Sequence, residues 1–555
     1  MITPAALTPL RHRVFRALWA ANVVTSLGLW LQNTGAGWLM TTLSPDALSV
    51  SLVQAATIVP TFLLALPAGA LADIVDRRIY LIATQCWTLA AATLLAILTY
   101  AGHIDAGGLV LLTFCIGIGS AMYQPAWGAT VPEIVPRQDL VPAIALNGIG
   151  FNLARAIGPA LGGVLVLFGG PSLAFILYAL SFTVGIAVLA RWRRPRRRSI
   201  LPREHLISAM RAGMQFVRHT PAMRSAMVRS VAYFLPSAAT WALLPLVVRE
   251  QLGLGAGSFG ILLGLMGVGG VTAGMLLPRL RGVATPRGAT GVATPRGVTG
   301  GVTRGTTVVG ASMFSAAGMA LVAVSTHWAP AALGMVLFGL GWVSAASTIQ
   351  AAAQLVAPAW VRARALAIYQ LAFNAALAVG SLIWGVLGTI VGLQTSMALA
   401  AILCAILAIL FRNASLDESA PAIAATTTPL PAPEAPAPEF AAALPQSRGR
   451  ILETMRYRVA ALDRDRFLDV MDAVQHVRGR AGALDWRLYE DVAHPEGWLE
   501  VWTMQNWTDH LREAVRLSDN DKQRLAQASL FADGAAPLPC RFISIETGTR
   551  RRNAA

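Results

Sequence analysis

The sequence predicts an all-α polytopic membrane protein, twelve transmembrane helices in two pseudo-symmetric halves of six, followed by a small α+β domain in water. Three observations predict it. Hydrophobic residues fill 55% of 555 positions and charged residues only 13%, with a mean hydropathy of +0.57; a soluble domain carries roughly a quarter charged residues. Twelve apolar stretches are long enough to cross a bilayer, which takes about 17–25 helical residues. Residues in the first half also recur in the second at nearly constant offsets, as repeated units do. Composition thus excludes a soluble enzyme, a disordered chain and a disulfide scaffold. Cys86, Cys115, Cys404 and Cys540 lie far apart, with neither metal spacing nor a disulfide framework.

The apolar stretches run near 14–42, 49–72, 79–101, 107–129, 142–168, 172–191, 222–248, 256–281, 306–326, 329–352, 363–390 and 393–412. The first follows Arg11, Arg13 and Arg16 in the manner of a signal peptide. It continues to Leu43 without a small-residue cleavage site, so it reads as a span. Met1 to Arg412 holds 27 Arg against 8 acidic residues, a net +19; the remainder holds 17 basic and 20 acidic, a net −3, which together make the chain's +16. Basic residues near span ends stay cytoplasmic. With the N-terminus inside, 25 of the 27 Arg fall on that side; only Arg249 falls outside, and Arg155 lies within a span. The basic excess is therefore topology with some lipid-headgroup contact, not nucleic-acid binding. The expected location is the cytoplasmic (inner) membrane, multi-pass, with both termini cytoplasmic.

Pro136, Asn152, Gly158 and Gly163 match Pro358, Asn374, Gly380 and Gly385 at an offset of 222, pairing spans 5 and 11. Ala68, Gly69 and Leu71 match Ala273, Gly274 and Leu276 at an offset of 205, pairing spans 2 and 8. The near-duplicate GVATPRGATGVATPRG from Gly282 accounts for the slip between the two offsets. Two six-span halves related in parallel are the architecture of major facilitator transporters.

After span 2 comes GALADIVDRR. It resembles the loop signature of the major facilitator superfamily at Gly69, Leu71, Asp73, Arg77 and Arg78, with Asp76 in place of the usual small residue. The resemblance implies that Asp73 latches the two halves in one state and releases them in another. Pro278 stands at the matching site of the second half, so the latch is one-sided. Span 5 carries NLARAIGPALGG, in which Gly158, Gly162 and Gly163 form a smooth packing face and Pro159 can bend the helix. This resembles the G-P-x-x-G-G element of exporters in the superfamily. The wider run from Gln124, and APAWVRARALAIYQLAFN with Arg362 and Arg364, resemble the branch of enterobactin exporters and macrolide-efflux proteins called transmembrane secretion effectors. What this implies is a secondary active transporter exporting small amphipathic molecules or siderophores by alternating access, coupled to protons.

Arg155 sits about 20 Å along span 5, at 1.5 Å per residue from Pro142. Intramembrane charges face a cavity or a partner. Arg155 reads equally as a site for anionic substrate groups or as a brace to helix-end carbonyls. Gln32, Asn33, Gln124, Asn152, Gln370 and Asn374 could line a cavity with Arg155, Trp30, Trp38 and Trp241, although each alone is more often helix–helix glue. No carboxylate or His lies mid-span, so coupling is expected near the interfaces, at Asp73 and Glu250, or on the substrate itself.

The expected domains are 1–192 and 222–412 for the two halves, 193–221 for a cytoplasmic central loop, 413–447 for a Pro/Ala-rich tether and 448–548 for the tail. The loop places Leu206, Met210, Met214 and Val217 on one helical face, as an interfacial helix would. Alternating apolar residues give a βαββαβ order in the tail, a ferredoxin-like plan. It resembles antibiotic-biosynthesis-monooxygenase-like domains, which implies a homodimer through this domain. Trp486, Trp498 and Trp502 read as core. No cofactor or metal is expected; His476, His494 and His510 show no ligand spacing. Two alternatives remain beside transport: a membrane-anchored cofactor-free oxygenase in the tail, and a transporter-derived sensor.

Overall fold

Backbone polar groups in lipid must find partners within their own segment, so each apolar run closes into a helix. The computed structural model describes residues 4–136, 139–192, 206–280, 303–358, 361–414, 449–517, 519–531 and 539–544, with Leu416 and Ala437. In it α1 is Arg13–Leu43, α2 Ala47–Ile74, α3 Arg77–Tyr100, α4 Ala106–Ile134 and α5 Leu140–Arg191. A shorter α6, Leu206–His219, precedes α7 Pro221–Leu246, α8 Ala256–Leu280, α9 Arg304–Val324, α10 Trp328–Val356, α11 Arg362–Val391 and α12 Leu393–Leu410. Eleven of these are long and apolar enough to cross a membrane. The 52 residues of α5 would reach about 78 Å at 1.5 Å each. That is more than twice a ~30 Å hydrocarbon core. Gly170, at φ +67°, breaks α5 into two arms, a left-handed conformation that only glycine adopts without strain. With its two arms counted separately, the described residues supply twelve membrane-length segments, and the single long helix is spans 5 and 6.

Acidic residues at the span ends have local work. Asp46, Asp76 and Asp105 cap α2, α3 and α4 by accepting from the backbone N–H groups of Ser49, of Arg78 and Ile79, and of Gly108. The internal repeat survives in packing, since Ala68 and Ala273 are both buried.

The chain divides into two compact units. One comprises Met1–Pro202, Ala226–Ala351 and Tyr369–Leu416; the other comprises Arg203–Ser225, Ala352–Ile368 and Asp417–Ala555. In the second unit, β1 (Ile451–Arg458), α13 (Arg464–Ala481), β2 (Asp485–Glu490), β3 (Gly497–Met504), α14 (Trp507–Arg516), α15 (Asp519–Ser529) and β4 (Cys540–Ile543) build the tail. Its antiparallel sheet has the order β2-β3-β1-β4, the ferredoxin-like connectivity the sequence predicts. Tyr457, Phe467, Val474 and Trp498 form one core cluster and Ile451, Trp502, Met504 and Trp507 another, with Trp486 packed against both. These tryptophans are core.

Candidate substrate pathway in the helical bundle

Glycines set how the first arm of α5 meets its neighbours. A Cβ on Gly158 would lie 2.5 Å from Trp30 Cβ, and one on Gly162 would lie 2.9 Å from Thr34 Cβ, so this stripe faces α1. At the next residue, a Cβ on Gly163 would stand 2.4 Å from Gly260 Cα of α8. Gly257 packs on Leu167, while Gly385 and Gly388 of α11 pack on Ser51 and Ala47 of α2. Trp38 stacks on Phe259 at 6.0 Å, and Arg249 Nη1 donates to Thr41 Oγ1 at 3.2 Å. Apart from the α1–α5 pair, these contacts join the two halves near the face opposite the N-terminus. Towards the other, Arg-rich face, Gly148 of α5 and Gly274 of α8 have nothing within 4 Å of a built Cβ. Among the described residues the halves meet at the end opposite the N-terminus, and neither Gly148 nor Gly274 touches the opposite half.

An aromatic cluster lies between them. Trp30 of α1 approaches Trp241 of α7 at 5.9 Å between centroids, and Trp241 meets Trp342 of α10 at 5.4 Å. Phe234 and Phe338 pack on Trp342 behind it. The indole N–H groups of Trp30, Trp241 and Trp342, with the hydroxyls of Ser237 and Thr240 near Trp241, are buried with no hydrogen-bond partner among the described residues. A buried donor without a partner costs about 1–3 kcal/mol. These groups lie in one aromatic neighbourhood between the halves.

The sequence-selected residues divide around this cluster. Asn33 shares the Trp30 stripe with Gly37, which faces Pro245 of α7. Gln32, fully buried, lies on the stripe of Gly28 and Gly35 against Tyr178 and Phe175 of the second arm of α5. Arg155 is half-buried and lies on the Gly158–Gly162 stripe, one turn nearer the Arg-rich face; its guanidinium has no hydrogen-bond or ion-pair partner among the described residues. Gln124 and Gln370 are exposed, and Asn374 donates to Gln370 O of its own helix at 2.9 Å. Glu250 is exposed in the π-helical turn that extends α7. The roles expected of Asp73 and Asn152 rest on side chains outside the described residues.

The loop signature has a clear structural part. Arg78 donates through Nε to Leu189 O at 2.9 Å and through Nη2 to Ala190 O at 2.5 Å, fastening α3 to the last turn of α5. Arg362 Nε donates to Ala357 O at 2.9 Å, closing the turn before α11. One buried charge escapes the sequence reading. Arg229, 3% exposed, donates to Gly305 O and Arg412 O at 3.1 and 2.8 Å, bracing α7 to the start of α9 and the end of α12. Its place near a span end hid it among the topological arginines.

The tail holds a buried ionic network. Glu500, fully buried, accepts from Tyr457 Oη at 2.6 Å, Trp486 Nε1 at 3.0 Å and Arg478 Nε at 3.1 Å. Arg478 also reaches Glu513 at 2.9 Å and covers the Trp502 ring at 3.6 Å. Burial alone would lower the Arg478 guanidinium, but Glu500 and Glu513 more than reverse it and its pKa rises. Burial raises the Glu513 carboxyl, against the pull of Arg478. Glu453, His510 and Glu513 place ligand atoms within 4.8 Å of one another, a grouping that could hold a metal ion. Two contacts already occupy it, His510 Nδ1 with Glu453 Oε1 at 2.6 Å and Arg478 with Glu513. Sequence spacing missed it because Glu453 comes from strand β1, more than fifty residues before His510 and Glu513 of α14.

Comparison with known proteins adds relatives to this geometry. A family model described as transmembrane secretion effector matches residues 4–549. The staphyloferrin A transporter of Staphylococcus aureus is 23% identical over 269 residues, 47% of this chain and 66% of the relative. Macrolide efflux protein A of Streptococcus pyogenes is 21% identical over 42% of this chain and 59% of its own length. The chain thus spans less than two thirds of the length of these curated relatives. Among solved structures, a bacterial homolog of the human lysosomal transporter Spinster, in an inward-facing and unoccupied conformation, aligns with a TM-score of 0.56 at 15% identity over 74% of this chain and 97% of that one. A POT family peptide transporter aligns with a TM-score of 0.57 at 13% identity, covering 72% and 93%. At such identities the likeness concerns the fold.

Proposed function

Since the chain belongs to the transmembrane secretion effector family of major facilitator transporters, we propose that it exports small amphipathic molecules, siderophores among them, across the cytoplasmic membrane by alternating access. The observation that carries this reading is the Trp30–Trp241–Trp342 cluster, whose indole donors have no partner among the described residues. An apolar, aromatic chamber with a few hydrogen-bond donors suits a molecule with a large hydrophobic body and scattered acceptors better than a sugar. The relatives named for staphyloferrin A and macrolide efflux support the substrate class. The positive-inside distribution of Arg supports an opening towards the cytoplasm in this arrangement. Flux of a siderophore or macrolide in liposomes, persisting after deletion of the tail, tests the reading; flux of neither, with inserted and folded protein, overturns it.

Arg155 serves as the counter-charge for anionic substrate groups in this reading. That its guanidinium finds no partner among the described residues favours that role over a brace to helix-end carbonyls. Arg155→Gln is expected to lower export of an anionic substrate by at least about tenfold, the loss of roughly 1.4 kcal/mol, with membrane abundance unchanged. Loss of export and abundance together would assign it a structural role.

Coupling to protons is proposed at the interfaces, with Asp73 and Glu250 as carriers, or on an ionising substrate held by Arg155. Asp73→Asn is expected to slow cycling strongly without preventing insertion, because it removes a charge at a helix-end turn and leaves the apolar spans intact. Gradient-driven flux in liposomes measures it; the parental rate at normal abundance would refute the latch. The tail is proposed to pair with that of a second copy, and light scattering of the purified protein tests this.

A further inference from the structure

Besides its tether, the tail has a contact with α6. In the second compact unit α13 packs against α6, the helix between the two halves. Gln215 Nε2 donates to Ala483 O at 3.1 Å, just beyond the left-handed C-cap Gly482 of α13. A Cβ on Gly479 would lie 2.6 Å from Cγ of the His219 ring. That ring is held in turn by a contact of Nδ1 with Gln215 O at 2.9 Å. Glycine within a helix costs about 1 kcal/mol relative to alanine. Gly479 is the third residue from the end of α13, and its helical conformation does not require glycine. The close approach of His219 accounts for it.

The far side of α6 is engaged as well. A Cβ on Gly213 would lie 3.0 Å from Arg364 Cβ in the first turn of α11, with Ile368 at 3.5 Å. Phe216 and Val217 are buried, whereas Met214 is exposed. Thus α6 is held between the tail and the first turns of α11, which carry Arg364 and Ile368.

We propose that the α6 surface around Gln215 and His219 is a docking site for this chain's own C-terminal domain, and that the tail sets the transport rate through that seat. The rate effect rests on the transporter reading; the docking does not. Physically, a folded domain fixed to α6 adds its bulk and any ligand or dimer contact of its own to an element tied to α11. Rocking of the second half then carries the tail with it.

The test is made on the full chain with a protease site placed in the 413–447 segment. After cleavage the parental tail should remain with the membrane part through purification. Gly479→Leu should lower the retained fraction at least about tenfold, equivalent to roughly 1.4 kcal/mol. His219→Trp, which fills the same space and leaves the tail sequence untouched, should do likewise. Combining Gly479→Ala with His219→Ala should restore retention, which distinguishes lost docking from a misfolded tail. In liposomes, Gly479→Leu and the tail-deleted chain should share one altered flux. A parental tail that falls away, retention unaffected by either bulky substitution, or a released tail with parental flux would each overturn the proposal. Absence of flux from every form, with retention behaving as stated, would count against the transporter reading and leave the docking intact.

Discussion

Replacing Gly163 with valine is expected to lower flux in liposomes by at least about tenfold, the rate equivalent of 1.4 kcal/mol. The Cβ alone would stand 2.4 Å from Gly260 Cα and 2.8 Å from its nitrogen, and neither is the soft end of a side chain. Overpacking of this kind costs about 1–3 kcal/mol. Here the cost falls only on the arrangement in which α5 and α8 meet. The protein would favour the arrangement in which they separate at that end, and the cycle would stall. Gly274→Val is the control, since a Cβ there meets nothing within 4 Å and flux should stay at the parental rate. Spin-label distances between the ends of α5 and α8 opposite the N-terminus should lengthen for Gly163→Val alone. Parental flux in that variant would mean the close crossing is not part of the cycle.

The second large effect concerns the tail. Glu500→Leu removes one acceptor from three buried donors: Tyr457 Oη, Trp486 Nε1 and Arg478 Nε. Breaking a buried pair by deleting one partner costs about 3–5 kcal/mol, a large part of the 5–15 kcal/mol that holds a typical domain. The unfolding midpoint of the tail within the full chain should fall by more than about 10 °C, followed by limited proteolysis with heating. Glu500→Gln, which keeps an oxygen acceptor, should lose less. The sign follows from the charge left behind: with Glu500 gone, Arg478 keeps only Glu513 among its two carboxylates. A melting profile unchanged in Glu500→Leu would show that this network does not hold the tail together.

The parts legible in the sequence are those set by local chemistry. Apolar runs report spans because lipid leaves the backbone no other choice, and the break expected between 168 and 172 is where the structure puts the left-handed Gly170. The tryptophans of the tail were recognisable as core from strand alternation. Roles that depend on what lies opposite were not legible. Gln32 and Asn33 are neighbours in sequence, yet one meets α5 and the other turns towards α7, because successive helical residues point about 100° apart. Asp76 looked like a departure from a loop pattern, and its part is to cap α3. Arg229 looked like one more cytoplasmic arginine, and it braces three helices.

By itself the sequence determined that the chain crosses a membrane twelve times in two related halves, that its Arg-rich ends share one side, and that a small α+β domain follows. Periodicity, composition and charge placement are properties of single segments, and the bilayer acts on segments one at a time. Tertiary structure alone decided which glycines bring the halves together, which indoles are left without partners, and that α13 lies against α6. Those depend on distances between residues hundreds of positions apart, and on a few tenths of an ångström in packing. No pattern within one helix encodes what the facing helix will present.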